Sequence, residues 1–539
     1  MAQNPPEVAR DALRYRMAAA SAALRRCTLG FVLAGSLLLA LLVVLDPAAP
    51  GGRGFLVVTP ANIDSICYFS TAHSLLFDGD FDLSNQLRVM IAPNSPLPPG
   101  SLKWVAAQPA SGLPGSPYAI GYSLLAMPFL AAGTVADAAT GAPPSGYGRF
   151  ATSFFAGANV VFLTLGLILL FRWLAQLGLR WNQDLRRAIG WAAVSASVLV
   201  PATALGYYAF TVMSHTASFL ATALFLWVWW NRRDSERIRD WAAIGAASGL
   251  MALCRWQDAL FLAVPLWHEL NRASLRETLR RREWWVSRFA GGLAFLAMFL
   301  PQMWQWRAIY GSWLTIPQGP QFVEWPPPRV LHALFSSRNG LFFTTPATLA
   351  GAAGLLWGLR KDVRLFGGLL AAFACQVVIV GSLPHHWSGM AFAMRLLISS
   401  TPLLAAGFLF LFLNTRCWAR RAVVGWICAG SLFTLLSAIQ WRYEFVPRSS
   451  PLTFQEAFAD KFRLHRAYRC YKEFQRIERA GGAENPEAAA RALEALMARF
   501  GENRVLLGRL RRLYERSGDL TQRNRVQARL DALSAREMF

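Results

Sequence analysis

Apolar runs close to twenty residues long, separated by short arginine clusters, constrain this chain more than any other feature. The runs at 28–45, 151–171, 213–230 and 396–413 are examples. About 20 helical residues are needed to cross the hydrocarbon layer of a bilayer. A soluble core could not hide the apolar surface, because the chain is 54% hydrophobic and only 16% charged, with 21 tryptophans and a mean hydropathy of +0.31. Inside lipid each backbone N–H and C=O must find a partner within the protein, which a helix provides. The sequence therefore predicts an all-α polytopic membrane protein.

The net charge of +23 does not point to nucleic acid. The arginines form no single basic face and sit between apolar runs, as in cytoplasmic loops. The cysteines Cys27, Cys67, Cys254, Cys375, Cys417, Cys428 and Cys470 are scattered without a CxxC pair or metal-type spacing.

The arginine clusters also set a topology. Arg10, Arg14, Arg16, Arg25 and Arg26 place residues 1–27 in the cytoplasm, ahead of an uncleaved first span at 28–46. Later clusters at 172–187, 232–239, 272–288, 360–364 and 416–421 should face the same side. The run at 118–133 is short and broken by Pro128, so it is expected to be a juxtamembrane or re-entrant helix. Residues 46–149 then form one large outer loop, and 305–339 a second one rich in Trp and Pro. The full pattern predicts about eleven crossings within 28–440. Residues 450–539 change character: they are charged and show helix-spaced apolar positions such as Leu493, Leu496, Met497 and Phe500. This predicts an extracytoplasmic helical domain, with a rhythm that resembles tetratricopeptide packing or else a small helical bundle.

Polar chemistry concentrates just after the first span, in the segment Asn62 to Leu83. Asp64, Tyr68 and the Ser70–Thr71 pair share one helical face, with His73 further along. A carboxylate at the membrane edge can act as a base; it can equally be a helix cap or an interfacial group. Arg255, Arg338 and Arg395 stand beside apolar runs, where a cation is costly unless paired or functional. His215 opens another run and could hydrogen-bond a substrate or bind metal. Asp78, Asp80 and Asp82 lack the full calcium-loop pattern and read as a turn with a helix cap. His385 and His386 could bind metal or substrate but read better as an interfacial pair, and Trp304, Trp306, Trp313 and Trp325 suggest an interface belt.

The order of these features resembles the GT-C superfamily of membrane glycosyltransferases, most of all the protein O-mannosyltransferase and lipid A aminoarabinose transferase branch. Asp64, Tyr68, Ala72 and Gly79 match the family's acidic residue, tyrosine, small-residue patch and glycine turn. Pro114 to Tyr118 and Gly121 to Leu125 look like its Pro-rich stretch and short helix. Asn339 to Pro346 and Trp387 to Arg395 resemble later segments of bacterial members. The resemblance covers roughly 28–440. It implies transfer of a sugar from a polyprenyl-phosphate donor, entering from membrane lipid, to a hydroxyl of a glycan, lipid or protein acceptor. Asp64 would be the general base, with Tyr68, His73, His215, Arg255, Arg338 and Arg395 binding substrate, Arg395 foremost for the phosphate; Lys103 is a weaker candidate. No metal ligand set is assigned, and a divalent metal stays open as a cofactor. His215 stands where many relatives carry an acid, a departure that weakens a two-carboxylate scheme. The C-terminal helices could dock a protein partner. The implied location is the inner membrane of the cell envelope. The competing readings are an O-antigen ligase or polymerase-type enzyme, which would carry its large loop late, and a transporter or scaffold, which would show inverted repeats or mid-span charges.

Overall fold

The computed structural model describes residues 16, 20–45, 63–91, 101–272, 275–326, 329–479 and 485–538. Arg10, Arg14 and residues 46–62 and 92–100 of the expected outer loop lie outside the described residues. Among the described residues there are helices and no strands, only two isolated bridges. The protein is an all-α, multi-pass membrane protein. The principal helices are α1 (Ser21–Leu45), α2 (Ile63–His73), α3 (Ser84–Met90), α4 (Gly121–Ala139), α5 (Arg149–Trp181), α6 (Leu185–Ser197), α7 (His215–Arg232), α8 (Ile238–Cys254), α9 (Ala263–Leu270), α10 (Arg282–Tyr310), α11 (Thr348–Gly358), α12 (Val363–Gly381), α13 (Thr401–Asn414) and α14 (Cys417–Arg442). Beyond them α15 (Leu464–Arg479), α16 (Pro486–Phe500), α17 (Arg504–Ser517) and α18 (Leu520–Ser534) form the C-terminal group.

Seven helices among the described residues are long and apolar enough to cross a membrane, not eleven. The difference has a physical cause. Several apolar runs that read as continuous are divided in space. The run expected at 188–205 breaks after the 13 residues of α6, just ahead of Pro201. The run at 257–270 becomes a 3-10 stretch followed by the 8-residue α9. The run at 340–359 is split by Pro346, leaving an 11-residue α11. Such breaks survive where neighbouring protein, rather than lipid, surrounds the backbone.

The expected short helix near 118–133 is instead the 19-residue α4, with Pro128 inside it. It runs beside the first part of α5. The Tyr122 hydroxyl accepts from Asn159 at 2.9 Å, and the Asp137 carboxylate accepts from the backbone N–H groups of Phe150 and Ala151, both at 2.9 Å. A carboxylate there satisfies orphan donors at the N-terminus of α5.

Core packing relies on small residues. A Cβ at Gly245 of α8 would run into the Gly291 carbonyl of α10, so only glycine permits that crossing. α13 is almost entirely buried, whereas α1, α10 and α14 carry exposed faces with Leu33, Leu37, Phe289, Leu293, Leu432 and Leu435. These are the faces lipid would cover. Trp304, Trp313 and Trp325 are exposed, but Trp306 is buried against Trp256 and leaves the expected belt.

The arginine-rich helix ends collect at one end of the bundle. Arg16 donates to the Leu179 and Asn182 carbonyls, Arg180 lies 3.8 Å from Asp362, and Lys361 donates to Asn414 at 2.9 Å. Glu269 pairs with Arg272 and Arg288, and Arg281 with Glu236.

The C-terminal helices stack on their chain neighbours around Leu493, Leu507 and Leu510. Arg504 ties them to the preceding segment. Its guanidinium donates to Glu456 at 2.5 and 2.8 Å, to the Pro451 carbonyl at 2.6 Å, and to Glu537. The Arg504 and Glu456 side chains are only 3% and 7% exposed. Removing one partner of such a pair leaves an uncompensated buried charge, so Arg504→Ala should destabilise this region by about 3–5 kcal/mol. Limited proteolysis should then cleave near α17 well below the melting temperature of the remaining bundle.

Candidate functional site

Asp64 lies in the first turn of α2. Its two carboxylate oxygens are held by different parts of the chain. Oδ1 accepts from the Tyr118 hydroxyl at 2.6 Å, and Oδ2 accepts from Arg395 Nη1 at 2.7 Å across 331 residues of sequence. Tyr118 comes from the turn before α4, and Arg395 opens the 3-10 segment Arg395–Ser400 that leads into α13. The Arg395 and Asp64 side chains are 18% and 13% exposed, so an incoming group can still reach the pair. Burial and the neighbouring Asp64 charge push the Tyr118 hydroxyl well above the usual tyrosine range, which keeps it a neutral donor. Arg395 Nη1 also touches the Met213 sulfur at 3.2 Å, and the buried Arg395 Nε has no partner among the described residues.

A second cation stands behind the first. Arg255 follows the last residue of α8 and donates through Nη1 to His215 Nδ1 at 2.9 Å and to the Arg395 carbonyl at 3.3 Å. An arginine only donates, so His215 Nδ1 must accept, and the ring proton belongs on Nε2. That buried Nε2 has no partner among the described residues. Tyr68 packs its ring on Tyr118 and Tyr122, at 5.4 and 5.1 Å between centroids. Tyr208 packs edge-on to His215 at 4.5 Å and donates to the Phe392 carbonyl at 2.9 Å.

Beneath these residues is a polar layer that the sequence did not reveal. The fully buried Asp258 accepts from Ser218 at 2.5 Å and from Ser399 at 2.7 Å. Gln257 donates to the Leu396 carbonyl at 3.0 Å, and Gln376 donates to the Gln257 carbonyl at 2.9 Å. These bonds fasten the Arg255 turn to the Arg395 segment, so both guanidinium groups rest on one rigid floor. Nothing marks Tyr118, Asp258 or Ser399 in a hydropathy reading, since each is polar in an otherwise apolar setting and gains its meaning only from its partner.

Of the residues singled out in the sequence, Asp64, Tyr68, His215, Arg255 and Arg395 come together. His73 does not join them. Its ring is stacked between Phe77 and Tyr147, at 4.4 and 4.3 Å, and bonds the Ser145 carbonyl at 2.9 Å, so it fastens a loop. Arg338 lies over the Trp387 ring at 3.8 Å, and Lys103 is exposed. Asp78, Asp80 and Asp82 accept from Asn85, Ser74 and the Ser84 N–H, forming a turn and a cap for α3. Among the described residues no three His, Cys, Asp or Glu side chains gather in a metal-type cluster.

His386, in the loop before Arg395, is held by burial and by nearby Arg329 down to about 4. The folded protein therefore binds fewer protons than the unfolded chain between about pH 4 and 6.5. Stability from this group is complete above that window and is lost as pH falls through it. His386→Asn should flatten that part of the thermal-stability profile, measured as the difference from the unsubstituted protein.

Compared with protein-family models and with curated proteins, the chain matches none.

Proposed function

We propose that this chain is a membrane glycosyltransferase of the GT-C type, moving a sugar from a polyprenyl-phosphate donor to an acceptor hydroxyl. The observation that carries the reading is one accessible carboxylate held between a tyrosine hydroxyl and an arginine, with a second arginine behind it. This arrangement pairs a proton acceptor with a surplus of cationic donors, the combination needed when a hydroxyl attacks and a phosphate departs.

In the proposed reaction the donor phosphate takes the Arg395 guanidinium away from Asp64. A carboxylate released from its cation is the better proton acceptor. Asp64 removes the acceptor hydroxyl proton as that oxygen bonds to the anomeric carbon. The bond from that carbon to the phosphate oxygen breaks, and its electron pair leaves with the polyprenyl phosphate. Arg395 faces the charge that develops on it, with Arg255 and His215 supporting it from behind. Tyr118 keeps the Asp64 carboxylate aimed throughout.

The arginine-rich helix ends gather at the end of the bundle away from Asp64. With those ends in the cytoplasm, the N-terminus is cytoplasmic, and the site and C-terminal helices face outward in a cell inner membrane. In this topology α4, although long enough to cross, packs along the outer part of α5 as a juxtamembrane helix. The test is direct: purified protein in proteoliposomes, given polyprenyl-phosphate sugars with a labelled sugar and a mixture of envelope acceptors, should release polyprenyl phosphate in step with labelled product. Absence of turnover with every such donor rejects the assignment.

A further inference from the structure

A second cationic cavity lies beside this site, at the junction of the membrane bundle and the C-terminal helices. It is a small, partly open cleft rather than an enclosed chamber. Its lining includes Arg338, Arg448 and Lys461 and contains no aspartate or glutamate.

Lys461 is the informative residue. It is only 7% exposed. Its ammonium donates to the Gln440 side-chain oxygen at 2.6 Å and rests 4.3 Å from the centre of the Phe433 ring. Among the described residues no carboxylate lies within ion-pair distance of it. Burial pushes this ammonium down to about 8, with nearby Asp460 opposing the shift. A buried lysine with one neutral acceptor has two N–H donors left, and retaining it is costly unless an anion arrives. Nε of Arg338 and Nε of Arg448 are likewise buried without a partner among the described residues. Arg448 is otherwise turned to Glu444 at 3.5 Å and to the Trp441 carbonyl at 3.3 Å.

The remaining walls specify what accompanies the anion. Phe343 and Phe433 line the same cavity. Phe433 belongs to α14, whose neighbouring Leu432 and Leu435 are 57% and 48% exposed on the apolar flank of the bundle. The cavity thus joins a cationic floor to a lipid-facing wall. On its other side Asn339 lines the cleft and fastens a neighbouring loop of strained backbone. Asn339, Ser388 and Ala393 all have positive φ, and the Asn339 amide donates to the Trp387 and Ala391 carbonyls at 3.0 and 2.8 Å. Non-glycine residues in this region cost energy and are kept where surrounding structure fixes a particular backbone shape.

We infer that this cavity binds the phosphate headgroup of an anionic membrane lipid, with Lys461, Arg338 and Arg448 holding the phosphate and Phe343 and Phe433 meeting the start of its chains. The site is separate from Asp64 and does not depend on the chain being a transferase. The two are nonetheless neighbours, because Phe392 lines the cavity while its carbonyl accepts from Tyr208, which packs on His215. An occupied headgroup site would brace the segment that carries Arg395.

The full-length protein, purified in a neutral detergent and stripped of lipid, tests this by native mass spectrometry and thermal shift. The probes are dioctanoyl phosphatidylglycerol, dioctanoylglycerol without the phosphate, and inorganic phosphate. Phosphatidylglycerol should bind saturably and raise the melting temperature, and dioctanoylglycerol should not. Lys461→Gln and Arg338→Gln should each weaken phosphatidylglycerol binding about tenfold, the loss of one hydrogen bond to a charged group. Exposed Arg360→Gln should leave it unchanged. Competition by millimolar inorganic phosphate supports a site that also accepts the free anion; lipid binding that phosphate fails to displace supports headgroup recognition strengthened by the chains. If Lys461→Gln does not fold, Arg338→Gln and Arg448→Gln carry the comparison. Equal binding of phosphatidylglycerol by these variants and the unsubstituted protein, or equal binding of dioctanoylglycerol, overturns the inference.

Discussion

Asp64→Asn should lower sugar transfer from a polyprenyl-phosphate donor by about 10³-fold, in the range that general-base removal costs. The substitution is nearly isosteric. The amide oxygen can still accept from Tyr118, so the local geometry should survive while the proton acceptor is lost. The competing explanation is that Asp64 only neutralises Arg395, as their 2.7 Å contact permits. Stability separates the two. Asp64→Asn leaves the Arg395 charge without its partner and should cost on the order of 2 kcal/mol, the low end for a hydrogen-bonded charge pair that is mostly buried. The double variant Asp64→Asn with Arg395→Met removes both charges and should recover most of that loss. Under the catalytic reading it recovers stability and no activity. More than a tenth of the original turnover in a folded Asp64→Asn protein would show that another group takes the proton.

Arg395→Gln is the second large effect. It should reduce turnover by about 10²–10³-fold, the usual cost of removing one donor aimed at developing charge. It should also weaken inhibition by the product polyprenyl phosphate, because that product keeps the phosphate Arg395 would hold. Arg395→Lys should recover part of the loss: it restores the charge but not the planar fork of N–H donors. Arg255→Gln should act more mildly, since Arg255 reaches the site through the Arg395 carbonyl and His215. The deciding measurement is product affinity, by titration of polyprenyl phosphate against each purified variant. An Arg395→Gln protein that binds the product as the unsubstituted one does would remove the phosphate from this site.

The class of this protein was legible in its sequence because hydropathy is a local sum. A window of apolar residues has the same meaning for the solvent wherever the rest of the chain goes. The same local logic brought out Asp64, His215, Arg255 and Arg395, since an ionisable group beside an apolar run is costly unless something answers it. What answers each of them lay out of reach. Arg395 meets Asp64 from 331 residues away, and Tyr118 joins them from a third region. Asp258 gains its role only when Ser218 and Ser399 close over it. His73 shares a short helix with Asp64, yet its ring is taken up by Phe77 and Tyr147. The number of membrane-length helices failed for a related reason. Pro201 and Pro346 break runs that a window average treats as continuous, and packed neighbours then shelter the interrupted backbone. Local composition thus determined the solvent this chain folds in and which side chains would be costly there, while tertiary packing alone decided the partners of those charges, because partnership depends on distances that sequence separation does not measure.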